Sequence, residues 1–134
     1  MRDNDLQYGY RVIRDEYLPC IPYMNSNVTK YIRERKLQPR FFNKIRNQIF
    51  YNNFEISSVS FFRSYNYTDY FNYLDRSQGI FEFRWGDAPI KTYGLSLYGN
   101  VSKIHYFDVQ YKHQNEVHKK QKYVKFADYL RHRR

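Results

Sequence analysis

Alternation of strand-like and helix-like segments is the feature that most constrains the fold of this chain. β-branched and aromatic residues predict strands over residues 8–13, 80–85 and 103–108. Apolar residues at helical spacing predict helices over residues 27–36, 68–75, 87–99 and 123–131. Strands and helices in this order favour one mixed sheet with flanking helices. The sequence therefore predicts an α/β domain whose ligands gather at strand ends.

Polar and glycine residues mark the expected ends of the helices. We expect Thr68 to cap the second helix and Gly79 to stop it, while Asp87 caps the third. Polar residues surround the apolar ones over 50–62. That segment is therefore predicted to be mostly loop.

Length and composition predict a single domain over 1–134. A chain of 134 residues buries about two thirds of its unfolded surface, and its 42% hydrophobic and 27% charged residues are ordinary for a globular protein. No internal repeat or Gly/Ser linker divides it. Residues 119–134 are expected to form a basic C-terminal tail or a short helix.

Charge and cysteine content limit the possible partners. The net charge of +10 would attract the phosphates of a nucleotide or a nucleic acid, or an anionic membrane surface. The single cysteine, Cys20, excludes an intrachain disulfide and a cysteine-based zinc site. We expect no membrane span, signal peptide or anchor in this chain, because no run of about 18 apolar residues occurs.

Two segments are distinctive. Residues 53–56 read Asn-Phe-Glu-Ile and are followed by Phe-Phe-Arg-Ser at 61–64, and residues 84–89 read Arg-Trp-Gly-Asp-Ala-Pro. With 103–108 and 111–113, their order and spacing resemble the fungal glycolipid 2-alpha-mannosyltransferase family, glycosyltransferase family fifteen. The resemblance matches only the C-terminal portion of that family's catalytic domain.

This resemblance implies a fold, a reaction and a cofactor. The fold would be the C-terminal part of a nucleotide-diphospho-sugar transferase (GT-A-like) domain. The reaction would transfer mannose from GDP-mannose to a mannoside in alpha-1,2 linkage with retention, using Mn²⁺. The family's N-terminal half supplies the nucleotide-binding strands and a Glu-Pro-Asp segment at the metal, which this sequence lacks. The chain would then be a truncated or split copy, or a fragment whose N-terminal half lies on another chain, with weak or absent activity alone. The family implies the secretory pathway (Golgi).

The resemblance also carries over site residues. Glu55 matches the carboxylate proposed to act near the anomeric carbon, and Asp87 matches an acidic residue near the acceptor or donor sugar. His113 matches a histidine that helps to hold Mn²⁺, with His105 as a less favoured second ligand. The residues expected to bind substrate are Asn53, Arg84, Trp85 and Gly86.

Each candidate also has an ordinary structural explanation. A lone Glu55 in a polar loop is typical of a surface carboxylate, and Asp87 is suited to a helix N-cap. A single histidine such as His113 is more often exposed or structural than a ligand, and a lone tryptophan such as Trp85 usually packs.

A second functional hypothesis comes from composition. Tyr, Phe and Trp make up 21% of the chain, a share that an AT-rich genome alone would produce. Basic residues on phosphates and exposed tyrosines on bases would suit a nucleic-acid-associated protein such as an organellar ribosomal component. A third hypothesis is an inactive, lectin-like remnant that still holds a sugar.

Three N-glycosylation patterns, Asn-x-Ser or Asn-x-Thr, begin at Asn27, Asn66 and Asn100. Such patterns arise by chance in an Asn-rich chain. We therefore expect all three to be unmodified.

Overall fold

The computed structural model describes residues 5–110 and 125–133 in full, together with the backbone of 112–113 and 116–117. The helices are α1 (Met24–Glu34), α2 (Phe42–Ile45), α3 (Val59–Phe62), α4 (Tyr65–Arg76), α5 (Gly79–Glu82), α6 (Asp87–Tyr98) and α7 (Phe126–Arg131). The strands are β1 (Tyr8–Tyr10), β2 (Ile13–Asp15), β3 (Gln48–Phe50), β4 (Glu55–Ser57), β5 (Ile104–Tyr106), β6 (Lys112–His113) and β7 (Glu116–Val117).

The main sheet is mixed, with β1 between antiparallel β4 and parallel β5. Tyr10 lies opposite Glu55 on β4 and opposite Tyr106 on β5, whereas Gly9 lies opposite His105. Residues in register share a face of a sheet, and successive residues alternate between faces. Glu55 therefore lies on the face of the core tyrosines, and His105 lies on the opposite face. Two antiparallel pairs, β2–β3 and β6–β7, accompany this sheet.

Helix α6 lies at the centre of the domain, in contact with β3, α4 and α2. Most of its residues are buried, because it is apolar on nearly every side. Its buried polar side chains form hydrogen bonds with backbone groups of the protein. The Thr92 hydroxyl accepts a 3.0 Å hydrogen bond from the backbone N–H of Phe50, and the Ser96 hydroxyl donates one of 2.6 Å to the carbonyl of Tyr93.

Helix α4 packs against α6 at a glycine. An added Cβ at Gly94 would lie 2.4 Å from the ring of Tyr67 and 3.1 Å from that of Tyr70. The Tyr70 hydroxyl donates a 3.1 Å hydrogen bond to the carbonyl of Ile90. The two rings therefore occupy the space that a side chain at position 94 would need.

A polar network joins α1, α4 and α6 at their outer edge. The Tyr31 hydroxyl donates to Asp69 at 2.9 Å and lies 2.6 Å from the hydroxyl of Tyr98. Arg35 donates two hydrogen bonds to the carboxylate of Asp69, at 2.8 and 3.0 Å. These guanidinium hydrogen bonds lower the pKa of Asp69 below its usual value.

Several predicted elements are confirmed, with shifted ends. Helices occur within or across the segments 27–36, 68–75, 87–99 and 123–131, and strands occur within 8–13 and 103–108. The strand predicted over 80–85 is wrong, because α5 occupies part of it and the left-handed Arg84 (φ 55°) follows. Trp85 packs on Gly79, where an added Cβ would lie 2.3 Å from its ring, so packing overrides strand propensity here.

Three other sequence expectations are also wrong. Residues 50–62 are not mostly loop, since β4 pairs with the distant β1 and α3 follows. The cap of α4 is Ser64, whose hydroxyl accepts from the backbone N–H of Tyr67 at 3.3 Å, one turn before Thr68. Gly86, rather than Asp87, occupies the N-cap position of α6, and Asp87 is the first helical residue.

The Gly94 contact predicts that Gly94→Ala lowers the free energy of unfolding by about 1–3 kcal/mol, although alanine favours helices, because the Tyr67 and Tyr70 rings must move. Gly86→Ala is the matched control, since its Cβ would meet only the Pro89 side chain at 3.8 Å. Urea denaturation of both variants measures the difference. Equal stabilities would contradict the packing argument.

The Asp69 network predicts a pH-dependent contribution to stability. Because the folded-state pKa of Asp69 is depressed, the stabilisation is present above its unfolded value near about 4 and is lost as the pH falls through the folded value. Asp69→Asn should therefore lower the melting temperature at pH 7 more than at pH 2. Asp75→Asn, an exposed change on the same helix, is the control. A difference independent of pH would count against the ion pair.

Candidate active site

Both carboxylate oxygens of Glu55 are held by neighbouring side chains. The Tyr8 hydroxyl donates to Oε2 at 2.7 Å, and the Ser57 hydroxyl donates to Oε1 at 3.2 Å. The Lys91 ammonium forms an ion pair with Oε1. The side chain of Glu55 is 18% exposed and that of Lys91 is 28% exposed. Glu55 is thus a partly buried carboxylate with a fixed orientation, unlike an ordinary surface residue.

Asp87 lies on the same side of the domain as Glu55. Residues four apart share a face of a helix, so Asp87 and Lys91 are neighbours on α6, and Lys91 contacts Glu55. Asp87 Oδ2 accepts a 2.6 Å hydrogen bond from the amide of Asn52, in the turn before β4. That turn therefore joins the start of α6 to the start of β4.

The charges of both carboxylates help to raise the pKa of two buried tyrosines. Burial raises the pKa of the Tyr8 hydroxyl, and the hydrogen bond to Glu55 and the charges of Glu55 and Asp87 raise it further. Burial is the main cause that raises the pKa of Tyr67, and the charges of the same two carboxylates raise it further. Both hydroxyls stay protonated at neutral pH and remain hydrogen-bond donors.

A cavity of about 460 Å³ opens beside Glu55. It lies between β4, α3, α4 and α6, and its walls include Glu55, Arg63, Tyr67, Phe71 and Lys91. This volume lies within the range of small-molecule sites. Apolar and aromatic walls with a few converging charged groups suit one sugar ring.

The expected substrate-binding residues differ in their exposure to solvent. Asn53 and Gly86 are exposed and adjoin Asn52 and Asp87, respectively. Arg84 is also exposed, in the left-handed conformation. Trp85 is only 4% exposed, and its indole N–H donates to the carbonyl of Pro22 at 3.0 Å. The ring of Trp85 therefore belongs to the core, and a part for Trp85 in binding substrate stays a prediction.

The expected metal site is not assembled by the described side chains. Within residues 5–110 and 125–133, no group of three or more His, Cys, Asp or Glu side chains could hold a metal ion. His105 lies on the far face of the sheet from Glu55. His113 belongs to β6, but its side chain lies outside the described residues, so its closeness to Glu55 stays a prediction.

Sequence reasoning did not place Tyr8 or Asn52 in the site, and it considered Lys91 only as a basic residue that could offset phosphate charge. The spacing of Asp87 and Lys91, four residues apart on a predicted helix, was a usable signal for Lys91. No local signal marks Tyr8, because it meets Glu55 through strand pairing across 47 residues.

The geometry of the Glu55 pair predicts energetic coupling. Glu55→Gln and Lys91→Met should each cost about 1–3 kcal/mol, because each leaves a partly buried partner without its ion pair, and the double variant should cost less than the sum. The exposed pair Asp5–Lys103 is the matched control, since Asp5 is 84% exposed and such pairs contribute little. Denaturant unfolding of both cycles measures the coupling. Additive effects at Glu55 and Lys91 would contradict it.

In the part of the chain that the structure describes, no helix has the length and apolar character needed to cross a membrane.

Comparisons with known proteins agree on one family. The model of the glycolipid 2-alpha-mannosyltransferase family matches residues 1–130. The probable mannosyltransferase KTR3 of Saccharomyces cerevisiae is 38% identical over 122 residues, covering 81% of this chain and 30% of the relative. Glycolipid 2-alpha-mannosyltransferase 2 of Candida albicans is 37% identical over 125 residues, covering 84% of this chain and 27% of the relative.

Solved structures show the same fold. Core-mannan synthase A of Aspergillus fumigatus, in a Mn/GDP form, superposes with a TM-score of 0.81 at 30% identity, covering 87% of this chain and 37% of that one. The mannosyltransferase Ktr4p of S. cerevisiae gives a TM-score of 0.80 at 26% identity, covering 87% of this chain and 35% of that one. The predicted α/β transferase fold is therefore confirmed. The chain spans about a third of the length of these relatives.

Proposed function

Because the chain belongs to the glycolipid 2-alpha-mannosyltransferase family, we propose that it supplies the sugar-transfer side of an alpha-1,2-mannosyltransferase site. The donor is GDP-mannose, the acceptor is a mannoside, and the anomeric configuration is retained. The observation that carries this proposal is the cavity beside Glu55, with Asp87 on the same side of the domain. The nucleic-acid hypothesis receives no support from the comparisons, which lead to mannosyltransferases.

Glu55 acts through its charge and orientation. Transfer with retention passes through an oxocarbenium-like sugar, and a carboxylate beside the anomeric carbon stabilises that positive charge. Tyr8, Ser57 and Lys91 occupy both oxygens of Glu55, which makes the carboxylate a weaker nucleophile than a free one. We therefore assign to Glu55 an electrostatic role rather than a covalent one.

Asp87 and the neighbouring turn orient the sugars. Asn52 holds one oxygen of the Asp87 carboxylate, leaving the other to accept a hydrogen bond from a sugar hydroxyl. Asn53, Arg84 and Gly86 are exposed and complete the polar surface around Asp87. Tyr67, kept protonated by burial and by the two carboxylates, donates a hydrogen bond into the cavity.

Mn²⁺ and the nucleotide are proposed from a relative that was solved in a Mn/GDP form. When bound, the metal neutralises the diphosphate leaving group. The described side chains do not form a metal site by themselves, and carboxylate and carbonyl oxygens are the ligands that suit Mn²⁺. We propose that His113 is this chain's contribution and that the remaining ligands belong to an N-terminal half carried elsewhere in a longer protein or on another chain. The whole enzyme would work in the secretory pathway, in the Golgi.

The test is transfer of mannose from GDP-mannose to methyl α-mannoside. The assay compares this chain alone with the chain co-produced with the product of the coding region immediately upstream. With the nucleotide half present, Glu55→Gln should lower kcat by about 10²- to 10³-fold, the usual effect of removing one transition-state contact. Glu55→Gln alone leaves the Lys91 ammonium without its ion pair, and the double variant Glu55→Gln/Lys91→Met removes that unpaired charge. The double variant should nevertheless have the same low kcat.

An independent readout separates binding from chemistry. GDP with Mn²⁺ should raise the melting temperature of the assembled protein, and His113→Ala should remove the Mn²⁺-dependent part of that rise. Glu55→Gln should leave the rise in place. Full kcat in Glu55→Gln would sink the assigned role of Glu55. Tight RNA binding that falls steeply with salt, without any nucleotide effect, would favour the nucleic-acid hypothesis instead.

A further inference from the structure

We propose that Asn100 is an acceptor for N-linked glycosylation, against the expectation from sequence that all three patterns are unmodified. Asn100 is exposed in the loop that follows α6. Its side-chain oxygen accepts hydrogen bonds from the backbone N–H of Ser102 at 3.0 Å and from the Ser102 hydroxyl at 2.8 Å. This is an Asx turn, in which the hydroxyl of the Asn-x-Ser pattern contacts the amide that would be modified.

The turn leaves the reactive atom accessible. Among the described residues, the side-chain nitrogen of Asn100 has no hydrogen-bond partner, since the contacts of this residue use its side-chain oxygen and its backbone N–H. The turn uses contacts within only three residues and lies at the surface, so it is present and exposed in the folded chain.

The other two patterns lack this geometry. Asn27 and Thr29 lie within α1, where the Asn27 amide donates to the carbonyl of Tyr23 at 3.0 Å and the Thr29 hydroxyl donates to that of Asn25 at 2.7 Å. Their polar groups are thus engaged by the helix backbone.

Asn66 and Thr68 lie within α4. Residues two apart on a helix do not face each other, so the Thr68 hydroxyl is turned away from the Asn66 amide. Thr68 also lines the cavity beside Glu55, and Tyr67 between them is buried. Of the three patterns, only the one at Asn100 combines an exposed side chain with a preformed contact between amide and hydroxyl.

A glycan at Asn100 would not obstruct the proposed sugar-transfer site. Asp87 is the first residue of α6 and Asn100 follows its last turn. At 1.5 Å per residue, the two positions are about 20 Å apart along the helix axis. The modification is therefore compatible with an open cavity.

The chemistry is a group transfer from a polyprenyl-diphosphate-linked oligosaccharide. A bond forms between the Asn100 side-chain nitrogen and the anomeric carbon of the first sugar, while the bond from that carbon to the diphosphate oxygen breaks. The nitrogen loses one proton, and the polyprenyl diphosphate leaves with the bonding electrons. This inference rests on the proposed function, because only a protein in the secretory pathway meets that donor.

The test is production of the whole chain behind a cleavable secretion signal in a fungal host. Electrophoretic mobility before and after peptide N-glycosidase treatment should reveal one glycan, and mass spectrometry of the product should find Asn100 converted to aspartate. Asn100→Asp and Ser102→Ala should each lose the mobility shift, and Ser102→Thr should keep it. Asn27→Gln and Asn66→Gln should also keep it.

Asn100→Asp is the matched control for folding, because aspartate keeps the acceptor oxygen of the turn and cannot carry the glycan. A wild-type chain without glycan, or a shift that survives Asn100→Asp, would overturn the inference. Mannose transfer by the same preparations, each co-produced with the nucleotide half, distinguishes the two proposals. A glycan without transferase activity sinks only the proposed function, and activity without a glycan sinks only the modification.

Discussion

Burial of α6 on nearly all sides is the constraint on which the rest of the structure depends. Strand β3 and helices α2 and α4 all pack on this helix, so its direction sets theirs. Two hydrogen bonds fix the position of α6 along its axis relative to β3 and the residue before it. The Thr92 hydroxyl accepts from the backbone N–H of Phe50, and the Tyr93 hydroxyl accepts from the backbone N–H of Asn47 at 3.1 Å. Near the N-terminal end of α6, Lys91 contacts Glu55, and Asp87 lies on the same side of the domain. Core packing therefore positions the candidate site.

The tyrosine-rich composition has a structural use in this core. Tyr8, Tyr31 and Tyr70 are almost fully buried, yet each hydroxyl reaches a polar partner. Tyrosine fills space as phenylalanine does and adds a hydrogen bond that joins separate elements. Tyr10 is the exception, since its buried hydroxyl has no partner among the described residues. A compositional bias of the genome explains Tyr10 more readily than it explains the other three.

Sequence predicted what local pattern determines. The extent of α6 followed from its apolar run and from Gly99, and the motifs around Glu55 and Asp87 identified two residues that the fold brings to one side. It failed where distant contacts decide. The ring of Trp85 against Gly79 turns a strand-like segment into a helix, and the three residues of β4 are a strand only because β1 lies beside them. The contact of Lys91 with Glu55 depends both on helix α5 and on the pairing of β4 with β1. No short stretch of sequence could therefore predict it.

The two sides of the proposed reaction make different physical demands on the chain. Stabilising a positive sugar requires a fixed carboxylate in a partly buried site, and the pairing of Glu55 with Tyr8, Ser57 and Lys91 provides one without any nucleotide or metal. Holding a diphosphate and Mn²⁺ requires several converging ligands, which the described side chains do not form. The carboxylate side is therefore built by contacts within the core around α6, whereas the nucleotide side needs ligands beyond the described side chains.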